Sequence, residues 1–220
     1  MRCVFTLTDG NPEYLQNRGK KSLEFCAGTY LRTEIANAFD YYGVKDRYTL
    51  FVDVDTMILN EIDLDDVETS YFAASPDWDI SDWSSVGTGV MLINIERMKR
   101  DYPKLVQHLI KHNFDFAFDG NGPCSQGAWN TFFRGKWDRL DPLYDWKPWW
   151  GFNPEAKVVH FSGPKPKEIP RLLVDQTNKK GKSESEEIKR FVVNCNREAF
   201  LRYSSMWEEY RKISESKDFE

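Results

Sequence analysis

Two carboxylates, Asp53 and Asp55, stand one residue apart directly after the apolar run Leu50–Val52. An apolar run without polar alternation is typical of a strand covered on both faces, and α/β sheets bind ligands at the carboxyl ends of such strands. Two acids there repel each other and lose hydration, and a divalent cation is the simplest compensation. The alternative is that Asp53 caps the next turn while Asp55 faces solvent, and the short pattern alone leaves both interpretations open.

A second group of chemically capable residues is His160, Gly163 and Lys165, at and just after the end of the predicted short strand Lys157–Phe161. A histidine at a strand end is usually a packed core residue when it stands alone. Here Gly163 permits close approach of the backbone to an anion, and Lys165 supplies a point charge for phosphate. Together with the two aspartates, these residues suit a metal diphosphate. Mixed carboxylate and imidazole ligands favour Mn²⁺, with Mg²⁺ as the alternative.

The elements that must position these residues alternate between strand and helix signals, which predicts an α/β fold with a mostly parallel central sheet flanked by helices. We expect the strand before Asp53 to be central. We predict one domain over residues 1–180 and a helical extension over 181–220 packed on it, after a polar break at Asn178–Glu187. Further strands are predicted at Cys3–Thr8, Gly89–Ile95 and Lys157–Phe161, and helices at Glu13–Phe25, Tyr30–Phe39, Leu105–Lys111, Gln126–Phe133 and Ile188–Ile213.

Composition limits the possible functions. The formal net charge of -5 and a pI of about 5.4 argue against general nucleic-acid binding, which depends on neutralising phosphates. The chain contains no apolar run near the ~20 residues needed to span a bilayer and begins with no secretory pattern. Its four cysteines show no metal or redox spacing. We therefore expect a soluble, cytoplasmic protein with reduced thiols and no membrane span.

Several segments together resemble the retaining glycosyltransferases of family 8, which have a GT-A fold. The resemblance is carried by their order and spacing across residues 3 to 166. The matching segments are Phe5–Thr8 with Tyr14, Thr29–Arg32, Phe51–Leu59, Gly87–Asn94, Ser125–Asn130 and His160–Pro166. The small size and the missing anchor also resemble the capsid-glycan glycosyltransferase domains of large algal DNA viruses, for which the host cytoplasm would be the setting.

The resemblance implies a UDP-sugar donor, a glycan or glycoprotein acceptor and transfer of a hexose or deoxyhexose with retention. Asp53, Asp55 and His160 would bind the metal, and Asp53 would also contact ribose. Gly163 and Lys165 would hold the diphosphate. The residues implied to cradle the uracil base are Thr6, Leu7, Thr8 and Tyr14.

For the sugar, the resemblance implies that Arg32 reaches the donor and that Gln126 lies at its reacting face. The alternative for Arg32 is an exposed position on a helix surface. The family usually has Asn at the position of Gly87 and Asp at that of Ser125, and the loss of two polar groups suggests a different or deoxygenated sugar. Alternatively, Asp119, Asp77 or Asp79 could make the hydrogen bonds to the sugar that the two missing groups make in the family. The family usually carries several more elements between its first strand and the aspartate pair, whereas only 52 residues precede Asp53 here, so we expect an abbreviated uridine half.

Three tryptophans within Trp146–Trp150 predict at least one exposed ring, which could stack on an acceptor glycan; core packing is the alternative. Two other functional classes also remain open. A haloacid-dehalogenase-type phosphohydrolase would use Asp53 as nucleophile, although that family places its motif nearer the first strand. A catalytically silent carbohydrate-binding domain would keep the tryptophans without needing His160 and Lys165.

Overall fold

The computed structural model describes residues 29–112, 114, 116, 124–174 and 184–216. The chain divides into two compact units. The first, called here the sheet unit, comprises Met1–Phe51 and Asp65–Leu140. The second, called here the C-terminal unit, comprises Val52–Leu64 and Asp141–Glu220. The predicted strand Cys3–Thr8 and helix Glu13–Phe25 lie outside the described residues, and the predicted division at residues 180 and 181 stays a prediction.

Six strands and six α-helices are described, together with short 3-10 helices. The strands are β1 (Tyr48–Val52), β2 (Thr56–Ile58), β3 (Phe72–Pro76), β4 (Val86–Asn94), β5 (Asp138–Arg139) and β6 (Val158–His160). The α-helices are α1 (Ile35–Tyr42), α2 (Ile95–Lys111), α3 (Cys124–Phe132), α4 (Ile169–Val174), α5 (Glu184–Cys195) and α6 (Arg197–Glu215). The 3-10 helices are Leu31–Glu34, Pro142–Asp145, Pro148–Trp150 and Pro166–Glu168.

The sheet unit contains a mixed four-stranded sheet in the order β1-β4-β3-β5. The α/β class expected from the sequence is confirmed. The sequence predicted a mostly parallel sheet, whereas β3 pairs antiparallel with β4 and parallel with β5. Within the described residues, β1 lies at one end of the order and is only partly buried, so it is not the central, doubly covered strand that was expected.

Strand β4, rather than β1, is buried along its whole length, since all nine of its residues are buried. Its continuous apolar pattern is explained by the core that surrounds it. That core combines Phe72 of β3, Met91 of β4, Met98 of α2 and Trp129 of α3. Trp129 and Phe72 meet edge to face, with ring centroids 5.1 Å apart. Burial of apolar side chains in this core is the main force that holds the sheet to its helices.

One buried amide ties α3 to the start of β4. The side chain of Asn130 accepts from the backbone nitrogen of Val86 at 2.8 Å and donates to the carbonyl oxygen of Val86, also at 2.8 Å. Asn130 therefore satisfies both backbone polar groups of a fully buried residue. Asn94, at the other end of β4, caps α2 by accepting from the nitrogen of Arg97 at 3.1 Å.

The C-terminal unit contains the antiparallel pair β2 and β6 and helices α4 to α6. Val159 of β6 packs with Ala199 and Tyr203 of α6, and a second cluster joins Leu172 of α4 to Val193 of α5. The predicted C-terminal helices are thus present. Helix α5 begins at Glu184, so the last residues of the predicted polar break are helical. Among the described helices, none has the length and apolar character that crossing a bilayer requires.

We expect Asn130→Ala to lower the free energy of unfolding by about 2–4 kcal/mol, because it leaves the buried amide and carbonyl of Val86 unpaired. Urea unfolding followed by tryptophan fluorescence measures the change. Arg134→Ala, an exposed substitution just beyond the same helix, serves as the control and should change the stability by about 0.5 kcal/mol or less. Equal stability of the two variants would contradict the bridging role of Asn130.

Candidate functional site

Pairing between β2 and β6 brings the two chemically capable segments of the sequence together. The register places Thr56 opposite His160. The nitrogen of Phe161 donates to the carbonyl oxygen of Asp55 at 2.9 Å. The turn before β2 is fixed by the hydroxyl of Thr56, which donates to the carbonyl oxygen of Asp53 at 2.8 Å. As a result, one ligand atom from each of Asp53, Asp55 and His160 lies within 4.8 Å of the others.

This triangle of donor atoms fits a divalent cation. Two carboxylate oxygens and one imidazole nitrogen form a mixed ligand set that suits Mn²⁺ better than Mg²⁺. Ligands on opposite sides of such an ion are about 4 Å apart, because each bond is about 2.1 Å long. Small side-chain adjustments would therefore bring all three atoms into bonding distance. Val54, between the two aspartates, is fully exposed and adds no ligand.

Lys165 lies directly beside the triangle. Its ammonium contacts Asp55 and donates to the carbonyl oxygen of Phe161 at 2.9 Å. Its backbone nitrogen donates to Glu168 at 2.9 Å, and Glu168 is in turn paired with Lys189 at 2.6 Å. The lysine therefore has a fixed backbone and a partly exposed side chain, which suits a cation that must contact an anionic ligand.

The backbone at Gly163 has a φ of +92°, a conformation that L side chains rarely adopt. The glycine lets the chain turn sharply between His160 and Lys165. A Cβ added there would meet no atom within 4 Å, so the sequence requires glycine for its backbone conformation. The expectation that Gly163 holds a diphosphate stays a prediction.

Charges and hydrogen bonds within the cluster shift the pKa of Asp55 down and the pKa of His160 up. Burial alone would raise the pKa of Asp55, but hydrogen bonding and charge from His160 and Lys165 lower it well below its usual range. Burial alone would lower the pKa of His160, but the charge of Asp145 and hydrogen bonds to Asp145 and Asp55 raise it above its usual range. A proton and a metal ion would therefore compete for the same imidazole nitrogen.

Two residues behind His160 were not among the predicted site residues. The Nδ1 atom of His160 lies 3.0 Å from Asp145 Oδ1, while the Nε2 atom of His160 lies 3.4 Å from Asp55 Oδ1. Asp145 is paired with Lys147, and both side chains are essentially inaccessible to solvent. In the sequence, Asp145 and Lys147 alternate with tryptophans. From that segment we predicted only a possible stacking surface for an acceptor glycan.

Arg32 and Gln126 belong to the sheet unit. Arg32 is buried, and its guanidinium contacts both the carbonyl and hydroxyl oxygens of Thr88. The alternative of an exposed arginine on a helix surface is therefore wrong. Gln126 donates its amide hydrogen to Asp77 at 2.8 Å. Their roles toward a donor sugar stay predictions.

Other predicted contacts are only partly described. Thr6, Leu7, Thr8, Tyr14 and Asp119 lie outside the described residues. Ser125, whose identity departs from the family pattern, is buried.

The aromatic segment is mostly packed. Trp146, Trp149 and Trp150 are each partly exposed and none is fully exposed, so stacking of one of these rings on an acceptor glycan stays a prediction. Trp146 packs in the core beneath β6 and donates to the carbonyl oxygen of Gly151 at 2.8 Å. Trp78, in the sheet unit, is 49% exposed and remains a candidate for stacking on a sugar.

Several solved structures with a similar fold are glycosyltransferases. The galactosyltransferase LgtC, solved with donor and acceptor sugar analogues, matches over 87% of this chain and 71% of its own, at 17% identity and a TM-score of 0.50. The glycosyltransferase GlyE of Streptococcus pneumoniae TIGR4 matches over 84% of this chain and 47% of its own, also at 17% identity and a TM-score of 0.50. The bifunctional glycosyltransferase WbbM matches over 68% of this chain and 33% of its own, at 16% identity and the same TM-score.

These similarities establish the fold, which is the GT-A type of α/β architecture expected from the sequence. The chain spans about half the length of GlyE. No protein-family model matches the chain, and no curated protein does.

Proposed function

We propose that this chain is a metal-dependent glycosyltransferase that moves a hexose or deoxyhexose from a UDP-sugar to a glycan or glycoprotein acceptor, with retention of anomeric configuration. The observation that carries the proposal is the convergence of Asp53, Asp55 and His160, with Lys165 beside them. This ligand set lies in a chain whose fold is similar to that of glycosyltransferases. LgtC was solved with donor and acceptor sugar analogues, and by this proposal the present chain would also use a donor sugar and an acceptor sugar.

The residues of the cluster would stabilise the leaving group in two ways, through a bound metal ion and through the ammonium of Lys165. Asp53, Asp55 and His160 would hold Mn²⁺ or Mg²⁺, which when bound supplies positive charge to the diphosphate oxygens. The ammonium of Lys165 would donate to the same diphosphate as negative charge develops on it. An ammonium in a partly buried site stabilises such charge more than water does, because it is already oriented.

Neither Gln126 nor Ser125, the described residues proposed to lie at the reacting face, is a strong nucleophile. Gln126 is a weak nucleophile, and its amide orientation is set by Asp77. Ser125 stands where the family has an acid. We therefore favour substitution on one face of the sugar, in which the departing diphosphate accepts the proton of the acceptor hydroxyl. Arg32 would act on the donor from its buried position against Thr88.

Two alternative functions remain. The aspartate pair would suit one of them, and the aromatic residues would suit the other. A haloacid-dehalogenase-type phosphohydrolase would use Asp53 as nucleophile and would release phosphate. A silent carbohydrate-binding domain would bind glycans without needing a metal. The proximity of His160 and Lys165 to the aspartates favours the transferase, since neither alternative requires that imidazole. A viral capsid-glycan setting and a cytoplasmic location stay proposals.

Calorimetry with UDP, in the presence and absence of Mn²⁺, tests the proposed function. We expect UDP affinity to depend on Mn²⁺ and to fall more than about tenfold, or 1.4 kcal/mol, in Asp55→Asn and His160→Gln. Glu61→Gln, an exposed acid in the same unit, should bind as the wild type does. A UDP affinity that does not change with Mn²⁺ would favour one of the alternatives, and so would phosphate release from phosphomonoesters.

Substitution of Lys165 tests its role in the leaving-group step. We expect Lys165→Ala to lower kcat by about 10²–10³-fold while changing donor affinity much less, because the contact strengthens as charge develops. Lys167→Ala is a matched control, since this exposed lysine in the adjacent 3-10 helix lies over the Trp207 ring at 5.5 Å. A change confined to donor affinity would mean that Lys165 only binds the ground state.

The donor and the stereochemistry can be determined together. Because Gly87 and Ser125 replace two polar groups around the donor sugar, we expect UDP-glucose or a UDP-deoxysugar such as UDP-rhamnose to be a better donor than UDP-galactose. Proton NMR of the product, after a screen of UDP-sugars, reports both outcomes. An inverted anomeric centre would exclude the mechanism, and a clear preference for UDP-galactose would exclude the sugar argument.

A further inference from the structure

The imidazole of His160 lies between two carboxylates that differ in their surroundings. Asp55, on the Nε2 side, is partly exposed, with 22% of its side chain accessible. Asp145, on the Nδ1 side, is completely buried and lies 3.0 Å away. The shorter distance and deeper burial make Asp145 the fixed partner. Asp55 is then the partner that can share the imidazole with a cation.

Asp145 could not remain buried as an isolated anion, because transfer of a carboxylate from water into a protein interior is costly. Lys147 supplies the compensation. Its ammonium contacts the carboxylate of Asp145 and donates to the carbonyl oxygen of the same residue at 2.9 Å. The ammonium also lies 5.3 Å from the centre of the Trp150 ring, which shields the pair. The two charges therefore balance each other out of contact with water.

The backbone between Asp145 and Lys147 is joined directly to the strand of His160. Trp146 pairs in parallel with Val159. The nitrogen of Trp146 donates to the carbonyl oxygen of Val158 at 2.8 Å, and the nitrogen of His160 donates to the carbonyl oxygen of Trp146 at 2.9 Å. The buried acid and the imidazole are thus held by hydrogen bonds of both backbone and side chain.

We propose that Asp145 and Lys147 are positioning residues for the metal site, in which Asp145 accepts the Nδ1 hydrogen of His160 and so directs the lone pair of Nε2 toward the cation held by Asp53 and Asp55. A histidine bound to a metal through one nitrogen depends on a hydrogen bond from the other nitrogen for its tautomer and ring orientation. Lys147 places its ammonium against the buried carboxylate of Asp145. The inference rests on the proposed metal-dependent function, but its test needs no turnover.

The test uses the whole chain with Mn²⁺ alone. Asp145→Asn keeps the shape of the acid but leaves Lys147 buried without a counter-ion, so the double variant Asp145→Asn/Lys147→Met is made as well and removes both charges. Mn²⁺ affinity is measured by titration with electron paramagnetic resonance. Pulsed measurements of nitrogen coupling report whether an imidazole is bound directly to Mn²⁺. The chain has three histidines, so the His108→Asn/His112→Asn background assigns the signal to His160.

We expect both variants to bind Mn²⁺ about 10–100-fold more weakly and to lose or reduce the nitrogen coupling. Tyr203→Phe is the matched control, because its buried hydroxyl contacts Asn153 at 2.8 and 3.1 Å and does not contact His160. This control should lower thermal stability while leaving Mn²⁺ affinity and nitrogen coupling unchanged.

Two results would overturn the inference in distinguishable ways. A double variant that folds and retains wild-type affinity and coupling would show that the buried pair serves stability alone, with the proposed function intact. Absence of imidazole coupling in the wild-type protein, with Mn²⁺ affinity unaffected by Asp55→Asn, would remove the metal centre itself and the proposed function with it.

Discussion

The antiparallel pairing of Thr56–Ile58 with Val158–His160 is the constraint on which the candidate site depends. It joins segments about a hundred residues apart in sequence and determines which atoms of Asp55 and His160 face each other. Each strand has only three residues, so backbone hydrogen bonds alone would hold it weakly. Met57 and Val159 supply further stability by packing against helix α6. The last long helix of the chain therefore supports a site whose ligands lie far from it in sequence.

Charge compensation is the second determinant of the site. Asp55 interacts with Lys165 and His160, while Asp145 interacts with Lys147 and His160. Asp145, Lys147 and His160 lie where water is scarce, so removal of one charge among them leaves another unbalanced and at high free energy. The same scarcity of water gives oriented charges a larger effect on a bound diphosphate than they would have at a surface. Stability and the proposed chemistry thus use one network.

The fold and the site contribute different parts of the functional argument. Similarity to solved glycosyltransferases establishes an architecture, and architectures of this kind support more than one chemistry. The choice of a metal-dependent transferase comes from the identity of the ligands and from Lys165 beside them. The choice of donor sugar depends on different residues, Gly87 and Ser125, in the sheet unit. The two choices can therefore be correct or wrong independently.

Local sequence was sufficient to predict the α/β class, strand β4, helix α3 and the pair of segments that supply Asp53, Asp55 and His160. Apolar periodicity and side-chain chemistry are properties of short segments, so they can be read without knowledge of distant partners. The candidate metal ligands Asp53, Asp55 and His160 were chosen by chemical type in this way, and the structure places one donor atom of each within 4.8 Å of the others.

Only the tertiary structure decided which polar residues are buried and what compensates them. Arg32 was compatible with an exposed helix face, yet it is buried against Thr88. Asp145 and Lys147 could equally have been solvated charges in a tryptophan-rich loop, yet they form a buried pair behind His160. The β1 strand was expected at the centre of the sheet but ends the described order. In each case the deciding contact comes from elsewhere in the fold, and burial and strand order are properties of the assembled chain that no local pattern encodes.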